Sequence, residues 1–121
     1  MKVGFIGLGN VGGKLAGSLL RKNFDLTVRD LDQNLTTEFS NLGAKVANSP
    51  KELAEKVDLI ITCLPSPKIC AEVMEGNDGI LNGLSEGKIW LEMSTTDEAE
   101  VKRIGDKVIA RKAIPMDGPV S

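Results

Sequence analysis

Residues Gly7, Gly9, Gly12 and Gly13 strip the side chains from a short stretch between an apolar run, Val3 to Ile6, and residues that are apolar at helical spacing up to Leu20. Gly7-Leu8-Gly9-Asn10-Val11-Gly12 has the spacing G-x-G-x-x-G. In that spacing the first glycine makes a tight turn, the second lets backbone approach a pyrophosphate, and the third lets a helix sit close to a strand. The N–H groups and dipole of the helix start then attract the anion. The pattern gains meaning from its place, directly after an apolar strand-like run and at the start of a helical one. A P-loop is rejected. Lys14 follows Gly12-Gly13, but Leu15 stands where a hydroxyl residue would hold Mg²⁺, and Leu8 where that motif's first glycine belongs.

A dinucleotide site also needs an acid at the end of the second strand, about 20 residues on, to take the adenosine ribose hydroxyls. Asp30 stands there, in Thr27-Val28-Arg29-Asp30-Leu31-Asp32. Its charge repels a 2′-phosphate and so favours NAD over NADP. Arg29 beside it keeps NADP open.

Other chemistry is excluded by composition. The chain has no His and no Tyr, so a Ser-His-Asp triad and a His-based metal site are absent. General acid–base work would fall to Lys, Asp, Glu or Cys. Cys63 and Cys70 fit no metal or redox spacing; they read as two free thiols of a reducing, cytoplasmic protein. The net charge of −2 is spread without a basic run, so no nucleic-acid partner is expected. No apolar run approaches the ~20 residues of a membrane span, and because the sequence starts directly in an apolar strand pattern no secretory signal is expected.

The elements that must hold these residues alternate. Strands are predicted at Lys2–Ile6, Asp25–Arg29, Lys45–Val46, Asp58–Cys63, Lys88–Met93 and Ala113–Met116. Helices are predicted at Val11–Arg21, Asn34–Leu42, Ile69–Met74 and from Thr95-Thr96-Asp97-Glu98 to about Val108. A further one begins at Ser49-Pro50-Lys51-Glu52, where a capping Ser, a Pro at the first position and a Glu three residues on coincide. In the first helix Val11, Leu15 and Leu19 share a face, with Ala16 and Leu20 beside it. This order predicts an α/β fold of Rossmann type: doubly wound, mainly parallel, with helices on both faces. Ligands of such sheets bind at the carboxyl ends of the strands. One domain accounts for 121 residues.

With these motifs in place, the sequence resembles the β-hydroxyacid dehydrogenase family, which includes 3-hydroxyisobutyrate dehydrogenases and tartronate semialdehyde reductases. Gly4-Phe5-Ile6-Gly7-Leu8-Gly9-Asn10-Val11-Gly12 is similar to the family's opening, with Val11 where Met is usual. Cys63-Leu64-Pro65-Ser66-Pro67 matches a Leu-Pro pair that lines the cofactor. Met93-Ser94-Thr95-Thr96 matches a Ser-Thr pair that reaches the nicotinamide side. Asp117-Gly118-Pro119-Val120-Ser121 matches the substrate loop, with Gly118 in place of Ala. The resemblance implies a cofactor site of Gly7, Leu8, Gly9, Asn10, Val11, Gly12, Asp30, Leu64, Pro65 and Thr95, and a substrate contact at Ser121.

Family members are about twice this long. The resemblance implies a second, helical domain that carries the catalytic Lys, closes the cleft and forms a homo-oligomer. No lysine here sits in that context, so residues 1–121 are expected to be the cofactor half of a larger enzyme. It would move hydride between a nicotinamide and a small hydroxy acid. Met116, Pro119 and Val120 are then expected to be exposed. Two alternatives stand beside this reading. One is a stand-alone nucleotide-sensing module. The other is an NADP-binding domain of 6-phosphogluconate dehydrogenase type, which usually follows its second strand with Arg-Thr rather than Leu31-Asp32.

Overall fold

The computed structural model describes residues 1–93 and 97–117. Six strands form one sheet in the order β3-β2-β1-β4-β5-β6. They are β1 Lys2–Ile6, β2 Asp25–Arg29, β3 Lys45–Val46, β4 Leu59–Thr62, β5 Ile89–Glu92 and β6 Ile114–Asp117. Every pairing is parallel. The helices between them are α1 Asn10–Arg21, α2 Gln33–Asn41, α3 Pro50–Lys56, α4 Pro67–Glu75 and α5 Glu98–Ala110. This is the doubly wound α/β architecture expected from the alternation.

Strand alternation divides the core in two. Val3 and Phe5 of β1, Leu26 and Val28 of β2 and Ile61 of β4 pack with Ala16 of α1 and Phe39 of α2. Ile6, Ile60 and Trp90 point to the opposite face, against Leu53 and Ala54 of α3, Cys70 and Met74 of α4 and Ile104 and Val108 of α5. Gly4 belongs to this second face because a Cβ there would strike the Leu53 side chain.

Side chains start the helices as their types dictate. Ser49 caps α3 by accepting from the Glu52 N–H at 3.1 Å. Ser66 does the same for α4 through Ile69 at 3.2 Å, which starts that helix two residues earlier than its apolar spacing indicates. Asp32 caps α2 and Asp97 caps α5, where Glu98 and Glu100 fill the first turn. At the other end of α3, Lys88 donates to the carbonyls of Ala54 and Glu55. Burial lowers the pKa of that ammonium.

Three details differ from the sequence reading. β4 and β5 are each one residue shorter at both ends than expected. A 3₁₀ turn at Ile80–Asn82 was not anticipated, since three residues leave no period to read. Val11 is 49% exposed rather than on the packed face of α1; it sits in the first turn, beyond the sheet, and Gly12 and Ala16 make the close contact instead. Met116 is half-exposed, as expected. Pro119 and Val120 lie outside the described residues.

Candidate functional site

The strand order reverses between β1 and β4, so α1 and α4 leave the sheet in opposite directions and open a crevice above the carboxyl ends. Register fixes what lines its floor. Ile6 pairs with both Arg29 and Thr62, and Thr62 with Glu92. The ladder runs on past the strands: Gly7 N–H donates to Arg29 O at 3.2 Å, Cys63 N–H to Ile6 O at 2.9 Å, and Met93 N–H to Thr62 O at 2.9 Å. Asp30, Gly7, Cys63 and Met93 therefore follow one another across the end of the sheet. They line a cleft of about 930 Å³, within the range of small-molecule sites.

The glycine loop is shaped as its spacing requires. Gly7 has φ +101°, a left-handed backbone, and a Cβ there would run into the Cys63 carbonyl. A Cβ on Gly12 would strike the Gly7 carbonyl and lie 3.3 Å from the Phe5 ring. A Cβ on Gly9 would meet nothing within 4 Å. Gly9 thus faces open cleft, while Gly7 and Gly12 are held by backbone contact. Gly9 is also the N-cap of α1 and offers no side-chain cap. The first intrahelical bond runs from Gly13 N–H to Gly9 O at 2.6 Å, so the N–H groups ahead of it belong to the set a helix start leaves for an anion.

Asp30 is locked onto this loop. Its Oδ2 accepts the Leu8 N–H at 2.8 Å and its Oδ1 accepts the Asp32 N–H at 2.9 Å. Each oxygen keeps lone-pair capacity for a hydroxyl donor. Open backbone at Gly9, a helix start behind it and an aligned carboxylate beside it fit a ribose-pyrophosphate unit.

Of the site residues read from sequence, Gly7, Gly9, Asn10, Val11 and Gly12 line the cleft, as do Asp30, Leu64 and Pro65. Leu8 differs. Its side chain is buried in the α1–α2 core and its N–H is taken by Asp30, so it shapes the loop from beneath. Thr95 and Ser121 lie outside the described residues. The cleft has further walls that sequence reasoning did not assign. Ile69, Glu72 and Val73 of α4 face it, as do Pro50 of α3 and the turn at Gly76–Gly79. The helical period of Ile69 and Val73 was the available signal.

The thiols are not poised as nucleophiles. Burial raises the pKa of half-buried Cys63, and the nearby Glu92 charge adds to the effect. Cys70 is raised much further, again by burial first and Glu92 second. Among the described residues lining the cleft there is no lysine, and Arg29 is the cation. No cluster of three or more His, Cys, Asp or Glu side chains able to hold a metal occurs among the described residues.

Comparison with known proteins agrees with this geometry. Residues 2–121 match the family described as the NAD binding domain of 6-phosphogluconate dehydrogenase. The chain is 41% identical over 119 residues to mitochondrial 3-hydroxyisobutyrate dehydrogenase of Mus musculus, covering 98% of this chain and 36% of that protein. The crystal structure of 3-hydroxyisobutyrate dehydrogenase from Salmonella typhimurium superposes with a TM-score of 0.91 at 27% identity, over 100% of this chain and 42% of that one. An imine reductase from Myxococcus stipitatus in complex with NADP+ shares the fold at a TM-score of 0.89 and 17% identity, over 99% of this chain and 41% of that one. The chain therefore spans little more than a third of the length of the curated relative.

Proposed function

Because the chain belongs to the family of the NAD binding domain of 6-phosphogluconate dehydrogenase, we propose that it seats NAD for a hydride transfer to or from a small β-hydroxy acid. The alignment of Asp30 with the glycine loop carries this reading. Asp30 accepts the ribose hydroxyls and its charge disfavours a 2′-phosphate. The start of α1 faces the pyrophosphate, and Leu64 and Pro65 form the apolar wall beyond it. Bound there, a nicotinamide supplies the hydride chemistry; the chain supplies position and a fixed electrostatic environment. Half-buried Arg29 in the cleft wall supports some tolerance of NADP.

The substrate class follows from the likeness to 3-hydroxyisobutyrate dehydrogenases. Ser121 would hold the substrate carboxylate and Thr95 would reach the nicotinamide side. The proton-transferring Lys belongs, on this reading, to a helical domain beyond these residues, since no described lysine lines the cleft. That domain would also carry the oligomer interface. No helix among the described residues is long and apolar enough to cross a membrane. Two free thiols suit a reducing, cytoplasmic setting, although the murine relative is described as mitochondrial.

The test is to incubate the purified chain with NAD and a panel of small β-hydroxy acids while following reduced-nicotinamide absorbance. Binding of NAD without turnover is expected. Steady turnover by these residues alone would overturn the two-part division of labour.

A further inference from the structure

Beneath the cleft floor lies a polar network in an otherwise apolar core. Glu92, the last residue of β5, is fully buried. Its Oε2 accepts the Thr62 hydroxyl at 2.6 Å and the Cys70 thiol at 3.1 Å. Thr62 Oγ1 in turn accepts the indole N–H of Trp90 at 3.0 Å. Thr62 and Trp90 are themselves buried. Removing a carboxylate from water is costly, and apolar residues of similar volume often do as well for stability. Stability alone therefore does not account for an acid here.

Position offers an account. Thr62 ends β4 and immediately precedes Cys63, Leu64 and Pro65. Glu92 immediately precedes Met93. Cys70 lies on α4 beside Ile69, Glu72 and Val73. Each partner is one step from residues that line the cleft. Across the sheet the order is β2, β1, β4, β5. A dinucleotide with its ribose on Asp30 and its pyrophosphate at Gly9 extends its other half over the ends of β4 and β5, above this network.

We propose that Glu92 is a positioning residue: by tying the ends of β4 and β5 to α4, it sets the shelf on which the nicotinamide half of the cofactor rests. The assignment rests on the NAD-binding reading above. The donors fit an acceptor at this point, because burial keeps the Cys70 thiol protonated. The adenosine half, held by Asp30 three strands away, does not depend on it.

The experiment compares NAD and AMP binding by calorimetry in the unaltered chain, Glu92→Leu, Thr62→Val and Thr62→Ser, with folding followed by circular dichroism. Loosening of the shelf is expected to lower NAD affinity about tenfold or more in Glu92→Leu, with AMP affinity kept. Thr62→Val falls in the same direction, and Thr62→Ser, which keeps the hydroxyl, restores NAD binding. Should Glu92→Leu not fold, the Thr62 pair decides the matter. Unchanged NAD affinity, or equal losses of NAD and AMP, overturns the positioning role alone. No NAD binding by the unaltered chain overturns the cofactor reading beneath it.

Discussion

Leu8 gives its backbone N–H to the Asp30 carboxylate across 22 residues of sequence, at 2.8 Å. One bond thus joins the glycine loop to the carboxylate proposed to select the ribose. It exists because β1 and β2 run parallel in a register that sets Ile6 against Arg29. The residues just past each strand are then neighbours.

Replacing Asp30 should therefore do two things. Asp30→Ala removes a ribose acceptor and frees the loop, so NAD affinity should fall about tenfold or more, the worth of a charge-assisted hydrogen bond. NADP should lose less, since a repelling charge goes too. Parallel titrations read the ratio. An unchanged NAD-to-NADP ratio would remove Asp30 from specificity.

Two glycines of the same loop should behave oppositely. In Gly12→Ala the new methyl meets the Gly7 carbonyl, and such overpacking should cost about 1–3 kcal/mol of stability. In Gly9→Ala the methyl enters open cleft. That variant should unfold at about the same denaturant midpoint as the parent and still bind NAD poorly. Urea melts and NAD titrations of both variants separate the roles. Tight NAD binding by Gly9→Ala would show that the pyrophosphate lies elsewhere.

Acid sensitivity should be set in part by Glu75. Arg103 donates to its Oε1 at 2.5 Å and Lys107 donates to its Oε2, tying α4 to α5. Hydrogen bonds from Arg103 first, then Lys107, hold its pKa down to about 2 from an ordinary 4.5. The folded state favours the ionised form. Its contribution is then complete above pH 4.5 and fades as pH falls toward 2. Glu75→Gln should be less stable near neutrality and should flatten the stability profile between those values. A profile of unchanged slope would assign the acid transition to other groups.

How far these features could be read in advance depended on their range. The order of strands and helices and the cap at Ser49 follow from local pattern and were legible; the cap of α5 was not, since the sequence opens that helix at Thr95 and Asp97 caps it. Asp30 was legible too, because its spacing from the glycines is a consequence of one βαβ unit. The Leu8–Asp30 bond was not, since it needs the register of two strands. Glu92 was half legible: Trp90 and Glu92 are two apart on a strand and must share a face, which places an acid beside a core aromatic. Its partners Thr62 and Cys70, 30 and 22 residues away, are brought in by the β4–β5 pairing and by α4 packing. No sequence period encodes that.

The account stands most directly on a calorimetric titration of the chain with NAD and NADP. It predicts saturable one-to-one binding of NAD, with NADP clearly weaker. A folded chain that binds neither nucleotide would contradict it.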